Sequence, residues 1–416
     1  MQLHNRWFQL ISSLIAMIMI ANLQYAWTLF VKPMQATQGW GLSDVQAAFT
    51  LFILFQTWVQ PLDGWLIDRL GPRGFISAAG LLCGLGWAGL GYAKTLPQLY
   101  TLYCIAGVGA AFVYSGSIGS ALKWFKDKRG LASGIMAAGF GGGTALFIPI
   151  ISRTIESRGY QTAFIYTGLF QGFMILLVAQ FLRHPPHEPA AAAKPATSAG
   201  SQLGKRQFTT LEMLSTPQFY VMYVMFVLMA TGGLLVTANA GPMARSWGLD
   251  TSPVTFLWLT AGALTLAATL SPLANGGSRI FWGWASDRIG RETAMVIAFI
   301  LQAICLFLVV AIGSRSGAMF ALTLVLVYFT WGEIYSLFPS TSADYFGSKH
   351  ATSNYAVLYT AKGVASIIGG WFGAFLYEQS GSWSMGFYGS AVMALVAAAM
   401  AVGLRGSRQE SVEAGL

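Results

Sequence analysis

Three ionisable residues lie deep inside long apolar stretches of the sequence: Arg279, Lys362 and Glu333. Counted along a helix from the charged residue that ends each stretch, they lie about 12, 20 and 16 Å inside it, respectively. A charged side chain at the centre of a bilayer costs about 2.5–3.5 kcal/mol, so it normally faces a cavity or a partner. The three residues are therefore candidates for a binding site within a membrane.

The chemistry that suits two such cations is the binding of a carboxylate. Arginine offers a planar, bidentate fork and lysine a compact point charge, so together they could hold both ends of a small dicarboxylate. The alternative is that Arg279 and Lys362 form packing ion pairs or extend to the membrane surface. Their depth argues against the surface, and Glu333 is one acid for two cations. Glu333 itself is either a plain salt-bridge partner or a proton-carrying group that couples transport to pH.

The composition indicates that the elements around these residues are membrane helices. The chain has 416 residues, of which 55% are hydrophobic and 9% are charged, with a mean hydropathy of +0.58. Soluble domains carry about 25% charged residues. This composition excludes soluble enzymes, secreted disulfide scaffolds and disordered chains. The three cysteines all fall in apolar stretches, which is typical of packed thiols rather than metal ligands.

Twelve apolar stretches are long enough to cross a bilayer, and they divide into six plus six. We place them near 7–30, 44–67, 74–93, 97–121, 130–152, 161–182, 218–241, 254–284, 292–313, 317–343, 351–376 and 383–404. The predicted fold is an all-α membrane protein with two pseudo-symmetric six-helix halves. The predicted regions are an N-terminal half (1–183), a Pro- and Ala-rich cytoplasmic linker (184–217), a C-terminal half (218–404) and a cytoplasmic tail (405–416).

The distribution of Lys and Arg predicts the orientation of the chain. With both termini in the cytoplasm, sixteen basic residues fall on the cytoplasmic side and six on the opposite side. The net charge of +9 is then explained by the basic residues of the cytoplasmic loops, and no nucleic-acid partner is needed to explain it.

A repeated loop relates the two halves. The stretch from Gly64 to Arg73 matches the stretch from Gly283 to Arg291, each after the second segment of its half. Duplicated six-helix halves with a binding site between them are a recurrent transporter design. The acid–base pairs in these loops, Asp68–Arg69 and Asp287–Arg288, are predicted to act as cytoplasmic gates or as static anchors. Asp63, close to the first loop, is expected in the cytoplasmic mouth with a gating or solvated role.

The doubled G-x3-D-R-x-G-x-R loop resembles the signature of the major facilitator superfamily. Four further stretches, beginning at Asn22, Asn275, Phe329 and Thr360, resemble the bacterial oxalate/formate antiporter family. The resemblance implies that Arg279 and Lys362 hold the substrate carboxylates. It implies a cavity lined by Gln24, Tyr25, Gln46, Tyr114, Trp331 and Tyr335. Monocarboxylate transporters share the arginine.

Two positions depart from the pattern of that family. Glu333 stands where the family has a small residue, which puts selectivity for dianions in question. Tyr359, on the same helix face as Lys362, stands where the family has tryptophan, so the cavity is expected to be wider or wetter.

The resemblance implies a transporter in a bacterial inner membrane that exchanges small carboxylates, oxalate and formate, by alternating access. The alternative is a proton symporter of lactate, pyruvate or formate that uses Glu333. A membrane sensor or scaffold without transport is a third, weaker reading. We expect a monomer in the lipid bilayer, with no enzymatic activity, cofactor, metal or nucleic acid.

Overall fold

The computed structural model describes residues 5–125, 129–183, 207–257, 259–347 and 350–413, and helices dominate these ranges. Ten segments are long and apolar enough to cross a membrane. They are Arg6–Tyr25, Leu42–Asp63, Leu70–Tyr92, Leu96–Trp124, Gly134–Arg158, Tyr160–Ala179, Pro217–Ser246, Arg291–Arg315, Gly317–Phe346 and Ser384–Arg405.

Two further helical segments are less apolar, and they are the ones that contain Arg279 and Lys362. The first is a single helix, Ala263–Ile289. The second runs from Ala351 to Ser380 and includes a π-helical stretch, Ile367–Phe372. With these two, the described residues contain twelve membrane-length segments, as the sequence predicts.

The described residues of the N-terminal half form eight α-helices, because several membrane segments are kinked or divided. They are α1 (Arg6–Tyr25), α2 (Trp27–Gln38), α3 (Leu42–Trp58), α4 (Gln60–Gly89), α5 (Leu96–Trp124), α6 (Arg129–Gly142), α7 (Ile148–Arg158) and α8 (Tyr160–Ala179). The short α9 (Thr210–Leu214) follows. The C-terminal half contains α10 (Pro217–Ser246), α11 (Ala263–Ile289), α12 (Arg291–Ala311), α13 (Gly317–Trp331), α14 (Ile334–Phe346), α15 (Ala351–Tyr359), α16 (Ala361–Ser366), α17 (Gly373–Ser380) and α18 (Ser384–Glu413).

The repeated loops have the same backbone shape in the two halves. Gly71 has φ 67° and ψ 164°, and its repeat partner Gly290 has φ 89° and ψ 151°. Both lie at positive φ, which glycine adopts without the steric cost that a side chain brings. The glycine of the repeated motif therefore marks the sharp turn that separates two membrane segments.

The predicted start of the eighth membrane segment, residue 254, is wrong. Residues Pro253–Phe256 (β1) and Leu259–Gly262 (β2) form an antiparallel hairpin, with Val254 opposite Ala261. Helix α11 begins only at Ala263. A short apolar run rich in β-branched and aromatic residues suits a strand as well as a membrane helix.

Two other predicted boundaries fall inside ordered structure. The end of the predicted linker packs against the C-terminal half, where Phe208 N donates to Phe346 O at 2.9 Å. Residues 184–206 of that linker lie outside the described residues. The predicted tail begins within α18, whose helical backbone continues to Glu413.

Candidate functional site

A cavity of about 1060 Å³ lies between the two halves. Its inner end is formed by Tyr114 from one half and by Arg279 and Tyr335 from the other, and its wall extends to Lys123 and Asp287. The last two residues belong to the ends that the Lys and Arg distribution predicts to be cytoplasmic. The cavity therefore opens toward the side that the Lys and Arg distribution predicts to be cytoplasmic, which is the arrangement expected of an inward-facing state.

The opposite ends of the two halves, which are predicted to face outward, are joined by hydrogen bonds. Gln46 Nε2 donates to Ala238 O at 2.7 Å and to Asn239 Oδ1 at 3.2 Å. Nearer the centre, Thr50 Oγ1 donates to Ser366 O at 2.9 Å. Gln46, predicted as a cavity-lining residue, thus lies in the outer contact between the halves in this conformation.

Arg279 reaches from α11 across to the N-terminal half. Its Nη1 donates to Ala137 O at 3.0 Å, and its Nη2 donates to Asn275 Oδ1, one turn earlier, at 2.9 Å. Its side chain is buried, yet Nε has no hydrogen-bond partner. Both of these acceptors are neutral, and the Nε–H of the guanidinium is left without an acceptor.

Lys362 lies in α16, immediately before the π-helical stretch, and is fully buried. Its Nζ donates to Gln24 Oε1 at 2.8 Å, Gln56 Oε1 at 3.0 Å and Tyr359 OH at 3.2 Å. Two of these residues come from the other half of the chain. As with Arg279, these partners are neutral acceptors.

The two cations flank the same pair of aromatic rings. The Arg279 Cζ lies 4.2 Å from the Tyr335 ring centroid and 6.0 Å from that of Phe140. The Lys362 Nζ lies 5.8 and 5.7 Å from the same two centroids, respectively. Such contacts with ring faces partly compensate a cation that lacks a counter-ion. Arg279 and Lys362 are therefore brought together, as the sequence predicts.

Six rings enclose this pair and form what we call the aromatic cluster. They are Tyr25, Tyr114, Phe140, Trp331, Tyr335 and Tyr359. Tyr114 stacks on Tyr359 with centroids 5.7 Å apart, and Trp331 meets Tyr335 edge-on at 5.5 Å. Five of the six belong to the predicted site. Tyr114 and Tyr335 border the cavity, and Lys362 lies behind this layer.

In the described part of the chain, several buried donors in the aromatic cluster and in the residues beside it have no acceptor. They are Tyr25 OH, Tyr335 OH, Trp331 Nε1, Arg279 Nε, Gln24 Nε2 and Gln56 Nε2. Buried polar groups in proteins are nearly always hydrogen-bonded, so a group of unused donors calls for an explanation. An ionised carboxylate only accepts, at about four lone-pair sites. Two cations and these donors are therefore complementary to a carboxylate anion.

Glu333 lies at the junction of α13 and α14 and is fully buried. Within the described residues, both of its carboxylate oxygens lack a hydrogen-bond partner. It therefore forms no salt bridge with Arg279 or Lys362 in this conformation. Glu333 therefore does not neutralise the positive charge of Arg279 or Lys362 in this conformation.

Asp63 borders the cavity and is largely buried. Ser115 Oγ donates to its Oδ2, whereas its Oδ1 has no hydrogen-bond partner. Asp63 thus lies on the wall of the predicted cytoplasmic cavity, but the solvated role expected of it is wrong, because its side chain is only 3% exposed and is bonded to Ser115. A gating role stays a prediction.

The sequence pattern of the Major Facilitator Superfamily matches residues 12–258 and 225–414, which together include nearly the whole chain. The match agrees with the twelve segments, the repeated loop and the central cavity. This chain belongs to the Major Facilitator Superfamily.

Several members of the superfamily are similar to this chain along most of its length. The oxalate:formate antiporter of Oxalobacter formigenes is 39% identical over 399 residues, covering 96% of this chain and 91% of that protein. This match confirms the resemblance to the oxalate/formate antiporter family. Monocarboxylate transporter 12-B of Danio rerio is 24% identical over 357 residues, with 79% of this chain and 72% of that protein covered. The uncharacterized transporter YhjX of Escherichia coli is 25% identical over 363 residues, with 87% and 86% covered.

The second copy of the superfamily loop makes its contacts within the C-terminal half. Asp287 Oδ1 and Arg291 Nη2 form an ion pair at 2.6 Å, and Arg291 Nε lies 3.5 Å from Asp344. The Arg288 guanidinium lies 4.3 Å from the Trp284 ring centroid. The side chains of Asp68 and Arg69, in the first copy, lie outside the described residues. Gating by these loops stays a prediction.

Sequence reasoning missed three contributors to the site: Gln56, Phe140 and Asn275. Gln56 could have been found as a polar residue inside an apolar stretch, one turn before Gln60. Asn275 lies four residues before Arg279, on the same helix face. Phe140 is surrounded by glycines, which mark close packing but not which ring faces the cations.

Proposed function

We propose that this protein exchanges small carboxylates, such as oxalate and formate, across the membrane by alternating access. The observation that supports it best is the pair Arg279 and Lys362, which flank the same rings with neutral partners and unused donors around them. The antiporter of Oxalobacter, by its name, acts on these anions, and its similarity to this chain supports the same substrate class.

Substrate is proposed to enter through the inward-facing cavity and to meet Arg279 first, since Arg279 borders that cavity and Lys362 does not. A carboxylate can accept two parallel hydrogen bonds from the guanidinium. Lys362 would then exchange the amide oxygens of Gln24 and Gln56 for the anion. The unused donors of Tyr25, Tyr335 and Trp331 would supply the remaining hydrogen bonds.

Exchange follows from the electrostatics of closure. Two buried cations with neutral partners are expensive to seal away from water. A bound anion supplies the missing charge, so the loaded carrier should close and turn much faster than the empty one. A carrier that crosses only when loaded performs antiport.

The test is uptake of labelled oxalate into proteoliposomes, with oxalate, formate or no anion trapped inside and no pH gradient imposed. We expect uptake only when an anion is trapped. Arg315→Gln, which removes an exposed cation outside the site, is the control and should behave like wild type. Equal uptake into empty liposomes would contradict obligate exchange.

A second candidate function is proton-coupled symport of a monocarboxylate, which the unpaired carboxyl of Glu333 favours. In this proposal Glu333 takes up the proton that accompanies lactate, pyruvate or formate. The similarity to monocarboxylate transporter 12-B is compatible with such substrates. Lactate or pyruvate accumulation driven by a pH gradient, without a trapped anion, would select this candidate.

The proposed setting is a bacterial inner membrane with both termini in the cytoplasm. The charge distribution of the loops supports this orientation, because sixteen Lys and Arg residues fall on the proposed cytoplasmic side and six on the other. The protein is proposed to work as a monomer, since both cations and all six rings of the site come from one chain.

A further inference from the structure

The N-terminus of helix α3 is capped by a residue from the other half of the protein. Glu378, in α17, accepts hydrogen bonds at Oε1 from Leu42 N at 2.5 Å and from Ser43 N at 3.1 Å. These amides belong to the first turn of α3, where backbone N–H groups have no partner within the helix. The residue at the N-cap position is Gly41, which has no side chain to supply a cap.

The glycine at the N-cap position of α3 leaves room for the Glu378 carboxylate. A Cβ atom built on Gly41 would lie 3.3 Å from Glu378 Oε1 and 3.0 Å from Asp44 Oδ2. A larger residue at this position would crowd the incoming carboxylate. A negative charge at a helix N-terminus is also favoured by the helix dipole.

The contact lies at the outer end of the protein, beside other contacts between the halves. Those of Gln46 with Ala238 and of Thr50 with Ser366 join neutral groups. Glu378 adds a formally charged, charge-assisted contact at the edge of the same surface, where water can reach it.

Alternating access requires the outer ends of the halves to separate when the site opens outward. The contact between Glu378 and α3 can exist only while these ends are together. A contact made in one conformation and lost in the other shifts the population between them. We propose that Glu378 and the amides of Leu42 and Ser43 form an outer latch that favours the inward-facing state of the empty carrier.

The test measures how often the outer side opens, without any transported substrate. Thr50, buried between the halves on the outer side of the two cations, is replaced by Cys after Cys83, Cys104 and Cys305 are changed to Ala. All variants are compared in this same Thr50→Cys chain. A membrane-impermeant maleimide is added only from outside, and the labelling rate is recorded. When opening is brief, this rate is proportional to the outward-open fraction.

Removing the cap with Glu378→Ala should raise the labelling rate about fivefold, the usual effect of losing a helix cap. Glu156→Gln is the control for loss of an acid at another predicted outer end, at α7, and it keeps an acceptor for Ser152 Oγ, so it should leave the rate unchanged. An unchanged rate in folded Glu378→Ala would overturn the latch.

Glu378→Gln keeps an acceptor oxygen and removes the charge, so it should give a smaller increase. If Glu378→Ala does not fold, the labelling rate of Glu378→Gln is the test of the latch. A rate equal to that of wild type then contradicts the proposal. Folding is checked by size-exclusion chromatography. The labelling rate does not depend on which anion is carried. The latch can therefore be disproved without affecting the proposed exchange of carboxylates, and the reverse also holds.

Discussion

At the scale of single residues, Arg279 and Lys362 have different access to an incoming anion. Arg279 borders the cavity and has an unused Nε, whereas Lys362 is fully buried and uses three hydrogen bonds to neutral oxygens. In the proposed mechanism, Arg279 would therefore bind the anion first and Lys362 would complete the closed state. The two cations should not be equivalent in a binding experiment.

Arg279→Lys should reduce oxalate exchange by about 100-fold or more, because lysine lacks the fork that bonds a carboxylate bidentately. Lys362→Gln should also abolish exchange, but it should retain part of the stabilisation that oxalate gives in a thermal unfolding assay. Oxalate protection that is lost in Lys362→Gln and kept in Arg279→Lys would reverse the proposed order of contacts.

Glu333→Gln separates the two candidate functions. An antiporter should keep exchange driven by a trapped anion, because Glu333 contacts neither cation in this conformation. A symporter should lose accumulation driven by a pH gradient, because the amide cannot take up the proton. Both activities are measured in the same proteoliposomes, with Arg315→Gln as the reference for folding and insertion.

The residue types of the site could be predicted, but several of their partners could not. Charged residues in apolar stretches single out Arg279, Lys362 and Glu333 because the bilayer penalises charge wherever it lies. The contact of Lys362 with Gln24 and Gln56 depends on how two halves meet, with more than 300 positions between the partners. Periodicity within one helix carries no information about such a contact.

At the scale of elements, the outer closure depends on a close approach of α2 and α10. A Cβ atom on Gly241 would lie 2.1 Å from the backbone oxygen of Thr28, and Gly241 N donates to Thr28 Oγ1. Backbone cannot move aside as a flexible side chain can, so this glycine is required for the two halves to meet.

Gly241→Ala should therefore hinder closure of the outer side and slow exchange by at least about tenfold, with expression and folding retained. Gly277→Ala is the matched control, because a Cβ at that helical position meets nothing within 4 Å. Exchange and maleimide labelling at Thr50→Cys are measured for both variants. Wild-type exchange by Gly241→Ala would show that the closed arrangement tolerates the extra methyl group.

Element boundaries were predictable where a polar or glycine-containing loop interrupts an apolar stretch, as at Gly71 and Gly290. The predicted boundary was wrong at the hairpin of residues 253–262, because a short run of β-branched and aromatic residues is compatible with either a strand or a helix. The π-helical stretch Ile367–Phe372 is also invisible in the sequence pattern, since its register depends on packing against the other half.

At the scale of the whole molecule, the halves repeat in shape but differ in charge. The repeat aligns Arg279 with Gln60 and Lys362 with Gly141, so both cations of the site lie in the C-terminal half. The N-terminal half supplies neutral acceptors and rings. With this division, the C-terminal half would hold the proposed anion while the N-terminal half moves relative to it.

A bound anion should accordingly close the cytoplasmic cavity. Ser340, on the cavity wall, is replaced by Cys in the cysteine-free chain and labelled from the cytoplasmic side. Oxalate should slow labelling in wild type and leave the rate unchanged in Lys362→Gln, in which closure lacks its second cation. Slowing of equal size in both proteins would mean that Lys362 has no part in closure.

The two membrane segments that are less apolar than the other ten have a consequence for biosynthesis. Helix α11 and the segment Ala351–Ser380 contain the cations of the site, and charged residues oppose partition from the translocon into lipid. Each of these segments must therefore remain near its neighbours until partners such as Asn275 or Gln24 are in place. The cations of the proposed site thus reduce the independent insertion of these two segments, and their late assembly should limit the yield of functional protein in the cell.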